Sequence, residues 1–169
     1  MARYTPIYGI VTSVNPLKTS AADTSCSMII SVMTQSIGQT NFIVTPKTYV
    51  RNQYTFHIGD TIVAIYDTKA PVPLIYPPQF TAVILAENSD GFDVVFDYFD
   101  EDLVNSSQTL KLNLTNDSGT TVLLSNGQTY FYNPGGHFLL VFYAFTTRSI
   151  PAITTPQSIV VFCDPNEKT

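Results

Sequence analysis

The chain carries one β-rich pattern twice. Residues 40–85 read TNFIVTPKTYV, then GDTIVAIYD, then a proline-broken stretch ending in PPQFTAVIL. Residues 120–162 read TTVLLSNGQTYF, then HFLLVFYAF, then a second such stretch ending in TPQSIVVF. Thr48-Tyr49 falls on Thr129-Tyr130, Tyr66 on Tyr143 and Pro78-Gln79 on Pro156-Gln157, at offsets of 81, 77 and 78 residues. A period this long means two copies of one supersecondary unit, and it limits the folds open to the chain before any other signal is weighed.

The unit is made of strands. Short apolar runs rich in Val, Ile, Phe, Tyr and Thr recur between turn residues, and no stretch shows the 3.6-residue period of a helix. In the first half the expected strands are 7–14, 26–34, 41–44, 61–66 and 80–86. Asn15-Pro16, Ile37-Gly38, Pro46 and Gly59-Asp60 supply the breaks. In the second half they are 92–99, 109–115, 121–124, 138–145 and 158–162, broken at 116–119, Asn126-Gly127 and 134–136. The halves join near ENSDG (87–91), so copies at 1–87 and 88–169 are expected.

Burial can be read from alternation. In TLKLNLT (109–115) Leu110, Leu112 and Leu114 share one face and Lys111 and Asn113 the other, the pattern of a strand lining a core. In FDVVFDYF (92–99) and FLLVFYAF (138–145) both faces are partly apolar, a pattern usual for strands covered on both sides. The second copy is therefore expected to be buried against the first or against another molecule.

Five strands, a Gly-Asp turn and a closing fifth strand suggest a five-stranded Greek-key barrel of the OB type. Gly59-Asp60, the apolar strand ending in Tyr66-Asp67, and Tyr76-Pro77-Pro78-Gln79 followed by Thr81-Ala82 carry a resemblance over residues 7–87. That segment resembles the OB-type β-barrels of the YobA-like bacterial family. The second half keeps Tyr143 and Pro156-Gln157 but has Gly136-His137 in place of the Gly-Asp turn. The resemblance implies the fold and brings no activity with it. The expected architecture is all-β: two tandem five-stranded OB-like barrels packed together.

Composition narrows the function classes. Of the 169 residues 44% are hydrophobic and only 12% charged, about half the charge of an ordinary soluble domain. Neutral polar residues replace the charge, with 22 threonines among them. The net charge is −5, and eight Lys+Arg spread over the chain cannot neutralise a run of phosphates. Nucleic acid and anionic membrane surfaces are thus unsuited as partners. No secretory leader or membrane-length apolar run is visible, so synthesis in the cytosol is expected, with a surface or particle assembly as an open destination.

No catalytic set emerges. Asp93, Asp97, Asp100, Glu101 and Asp102 are the densest charge, but they lack the glycine and ligand spacing of a calcium loop and read as a solvated strand rim running into a turn. His57 and His137 occupy non-equivalent positions, and two ligands leave a zinc site short. There is no Gly-x-Ser-x-Gly elbow and no phosphate-cradling loop. No enzyme, metal, cofactor or small-molecule ligand is expected. Cys26 and Cys163 lack metal or CxxC spacing and read as two buried, reduced side chains, with a cross-link as the rival reading.

The long loops before each fifth strand carry the functional expectation. DTKAPVPLIYPP (67–78) and TTRSIPAITTP (146–156) are broken by prolines, which cannot join a central ladder. They present Val72, Leu74, Ile75 and Tyr76 in the first loop, and Ile150 and Ile153 in the second. Apolar side chains there either fold back across a barrel end or dock on a partner. The expectation is a structural protein that assembles with copies of itself, through β edges and these apolar loops, into a filament, a coat or another repeating body. The alternative is an OB-type module that binds an oligosaccharide or peptide on Tyr49, Tyr54, Tyr76, Tyr130 and Tyr132, framed by the loop 15–24.

Overall fold

A computed structural model describes residues 2–18, 20–22 and 24–163. It is all-β, and the chain separates into two compact units, Arg3–Gly91 and a second that begins at Phe92 and includes Ala2.

The first unit holds strands β1 (Tyr4–Pro16), β2 (Met28–Thr34), β3 (Gly38–Val44), β4 (Tyr49–Val50), β5 (Thr61–Asp67) and β6 (Gln79–Glu87). Five of them close a ring. β1 pairs antiparallel with β2 and β5, β2 with β3, and β5 with β6. The ring shuts where Asn41–Ile43 of β3 run parallel to Gln79–Thr81 of β6. Closure leaves none of these five strands with a long free edge.

The length of β1 lets one strand serve two neighbours. Residues 4–10 pair with β5 and 9–16 with β2, so Gly9 lies opposite both Ile62 and Thr34. A Cβ at Gly9 would stand 2.5 Å from the carbonyl oxygen of Met33 and from Cγ1 of Val32. Only glycine allows the two strands to approach this closely. A bulge between Val11 and Ser13 then bends β1 into the next part of the ring. Ile7, Val11, Ile30, Phe42, Ile62 and Leu85 fill the interior. Val63, Ile65 and Ile84, of the opposite parity on β5 and β6, are buried as well.

The second unit holds β7 (Asp93–Phe99), β8 (Leu110–Leu112), β9 (Thr121–Leu124), β10 (His137–Tyr143), β11 (Ala152–Thr154) and β12 (Ser158–Phe162). Its main sheet runs β7-β10-β12-β9, with two antiparallel pairs and then the parallel pair β12–β9. This repeats β1-β5-β6-β3 of the first unit in order and in sense. The position that β2 fills in the ring is different here. β8 is three residues long and pairs parallel with β11. No ladder joins β8 to β9 among the described residues, so the sheet stays open where five strands and a closed ring were expected.

The segment that stands in for a full second strand is organised by Asn105, which is buried. Its Oδ1 accepts from the backbone N–H of Thr109 (2.8 Å) and Leu110 (2.9 Å), while its Nδ2 donates to the hydroxyls of Ser107 and Thr109. All four bonding positions of the amide are used. Leu110 and Leu112 are buried and Lys111 exposed, the alternation read from the sequence, over a shorter span. With Leu103, Phe99, Leu139 and Val161 they form the core of this unit.

Candidate interaction site

The loop between β5 and β6 is held at its ends and free between them. At its start, Thr68 donates to the carbonyl of Arg3 through both N–H (2.7 Å) and hydroxyl (2.8 Å). The Arg3 guanidinium meets the Asp67 carboxylate, with Nη2 3.1 Å from Oδ2. Asp67 Oδ1 also accepts the N–H of Lys69. The bond to Arg3, with help from that N–H, holds the Asp67 carboxyl below the usual carboxylate range. At the far end the carbonyl of Pro78 accepts the N–H of Asn41 (2.8 Å) as β6 joins the ring. None of residues 71–77 makes a hydrogen bond among the described residues.

The apolar side chains of this loop face solvent. Leu74 is fully exposed at 104%, Tyr76 is at 86%, and Val72 and Ile75 are exposed as well. Folding back across the barrel end, one of the two expectations, would have buried them. The four prolines at 71, 73, 77 and 78 fix their own φ and remove the donors a fold-back would use, and the chain bends at Leu74 and at Tyr76-Pro77. The Tyr76-Pro77 peptide is cis.

The second loop is tied to itself. Thr147 N–H donates to the carbonyl of Ile153 (2.9 Å), and Ile153 N–H returns a bond to Thr147 Oγ1 (2.9 Å). Thr154 Oγ1 donates to the carbonyl of Phe145, and Ser149 Oγ to that of Pro151. These bonds lift Ile150, 98% exposed, to the tip, beside a cis bond to Pro151. Ile153 lies on β11 and is exposed. Phe145 is exposed too, although sequence reasoning placed it at the end of a covered strand. The strand stops at Tyr143, and the apolar run alone gave no sign of that.

Both cysteines are exposed and free, which overturns their reading as buried side chains. Cys26 precedes β2, in a turn where Ser27 N–H donates to Ser25 Oγ. Cys163 follows the last residue of β12. Neither belongs to a ladder whose inner face could enclose it.

The acidic run shapes backbone. Asp100 Oδ1 accepts the N–H groups of Asp102 and Val104, and Asp97 accepts the Ser106 hydroxyl and the N–H of Tyr98. His57 donates its N–H to Asp60 Oδ2, whereas His137 opens β10 with Nε2 3.4 Å from the Tyr130 hydroxyl. Of the five tyrosines in the binding-module reading, Tyr76 and Tyr132 are exposed, and Tyr49, Tyr54 and Tyr130 are half-buried. Burial pushes the Tyr49 phenol above its ordinary value. Residues 19 and 23 of the loop 15–24 lie outside the described residues.

The second unit also contains a groove of about 280 Å³. Leu103, Leu114 and Val122 give it an apolar side, and Thr115, Asn116, Ser118, Thr120, Tyr132, Asn133 and Pro134 complete the lining. Leu114 follows β8 and Val122 lies on β9, so the groove sits at the seam where this sheet fails to close. Sequence reasoning did not find it, because its residues are scattered over 103–134. Compared with protein-family models, with curated proteins and with solved structures, the chain matches none.

Proposed function

We propose that this chain is a non-catalytic structural protein that assembles with copies of itself through its apolar, proline-broken loops. In this reading both units descend from one OB-type barrel, the kind implied by the resemblance to the YobA-like family. The second unit has kept the strand order and given up closure at its second strand. The parallel closure of β3 on β6 supports the OB assignment of the first unit.

The observation that carries the reading is the exposure of Leu74, Tyr76 and Ile150 on loops anchored at their bases. Monomers seldom leave clustered apolar side chains in water unless a contact uses them. Burying Leu74, Ile75 and Tyr76 together contributes on the order of 5 kcal/mol before ordering costs. Anchoring the base of the loop in advance reduces that ordering cost.

The test is a chain with Leu74→Ser and Tyr76→Ser, compared with the wild type by sedimentation velocity and thermal unfolding. The expected outcome is loss of the large species with the monomer's unfolding changed by no more than about 0.5 kcal/mol, as befits exposed positions. Collapse of the unfolding transition would show that the loop serves its own barrel instead.

A further inference from the structure

The loop and the groove are complementary in chemistry. The segment 70–78, APVPLIYPP, has no charged side chain, and four of its nine residues lack a backbone N–H. It is therefore rich in carbonyl acceptors and poor in donors, and those of 71–77 are unspent. The groove is lined by no Asp, Glu, Lys, Arg or His, and its rim offers unspent donors. Asn133 uses its Oδ1 to accept the N–H of Gly135 (2.8 Å), which leaves its Nδ2 available. The side chains of Asn116, Thr115 and Tyr132 make no hydrogen bond among the described residues. Deeper in, Thr120 Oγ1 is committed to the carbonyl of Pro156 (2.6 Å), and Leu114 and Val122 supply apolar surface.

Proline-rich segments are recognised in this way elsewhere. An aromatic-lined groove takes the apolar side chains while amide and hydroxyl donors meet the exposed carbonyls, and the stiff segment loses little entropy on docking. Tyr132 is 78% exposed, and its ring is set by an edge contact with Tyr130, centroids 5.9 Å apart. A volume of 280 Å³ falls at the lower limit of small-molecule pockets, about 300–1,000 Å³, and suits side chains of a docked segment better than a cofactor.

We infer that the groove at the open seam of the second unit is the receptor for the 70–78 loop of another copy of the chain. This rests on the assembly reading above and deepens it: the contact is head-to-tail, with different surfaces meeting, so it propagates when the rotation does not close. A synthetic peptide of residues 69–79 is the probe, titrated into the full chain carrying Leu74→Ser and Tyr76→Ser and followed by amide chemical shifts.

The expected result is saturable shifts at Leu114, Asn116 and Val122. Binding should weaken by about tenfold or more when Asn116→Ala and Tyr132→Ala are added, or when the peptide carries serine at 74 and 76. Mixing is the second arm. A loop-deficient copy and a groove-deficient copy, each monomeric alone, should form a one-to-one dimer that grows no further. Shifts confined to another surface overturn the inference. So does a groove-deficient chain that assembles like the wild type, and in that case the assembly reading stands without it. A wild type that stays monomeric at every concentration overturns the assembly reading and this inference with it.

Discussion

Gly9 sets how tightly the first barrel can be drawn. It is the residue at which β1 passes from one neighbour to the other, and its missing Cβ is what lets Met33 come close. Gly9→Ala forces the Met33 carbonyl back, and because that atom is backbone the ring must shift. Overpacking of this kind costs about 1–3 kcal/mol. A denaturant midpoint for Gly9→Ala equal to the wild type's would show that the ring relaxes freely there. Leu103 is a second residue under constraint: its φ of +62° is rare for a bulky side chain, and it is held by the Asp100 turn and by its own burial.

The loop 68–78 depends on the element it springs from. The Arg3–Asp67 pair is exposed, yet it joins the start of β1 to the end of β5 at the base of the loop. Asp67 has a depressed folded-state pKa, so its contribution is complete at neutral pH, above its unfolded value. That contribution is lost as pH falls through the lower folded value. In Arg3→Gln the Asp67 carboxyl should titrate closer to the usual carboxylate range, and the acid-side loss should shrink. An NMR titration of that carboxyl reads it directly, and an unchanged titration in Arg3→Gln would contradict the pairing.

Elements were legible where one residue type decides them. The prolines in APVPLIYPP exclude it from a ladder, so its apolar side chains are legible from sequence as a loop's. β8 was misread in length, because TLKLNLT alternates over seven residues while only Leu110–Leu112 find a partner strand. That partner, β11, lies between two prolines and gave no strand signal. The cysteines were misplaced because residue type favours burial and only the ends of β2 and β12 show that they lie beyond the ladders.

At the scale of the whole molecule, the two units show what one strand order can become. With β2 at full length the ring closes and presents a loop. Where its counterpart shrinks to β8, the ring opens and a groove lies at the seam. On the assembly proposed above, a chain that carries both surfaces links to copies of itself without a second component. Low charge helps, since little long-range repulsion opposes close approach. The most direct measurement is sedimentation velocity of the full wild-type chain over a wide concentration series under reducing conditions, which removes any contribution from Cys26 or Cys163. The account predicts species that grow with concentration and appear as repeating bodies by electron microscopy. A single monomeric species at every concentration would contradict it.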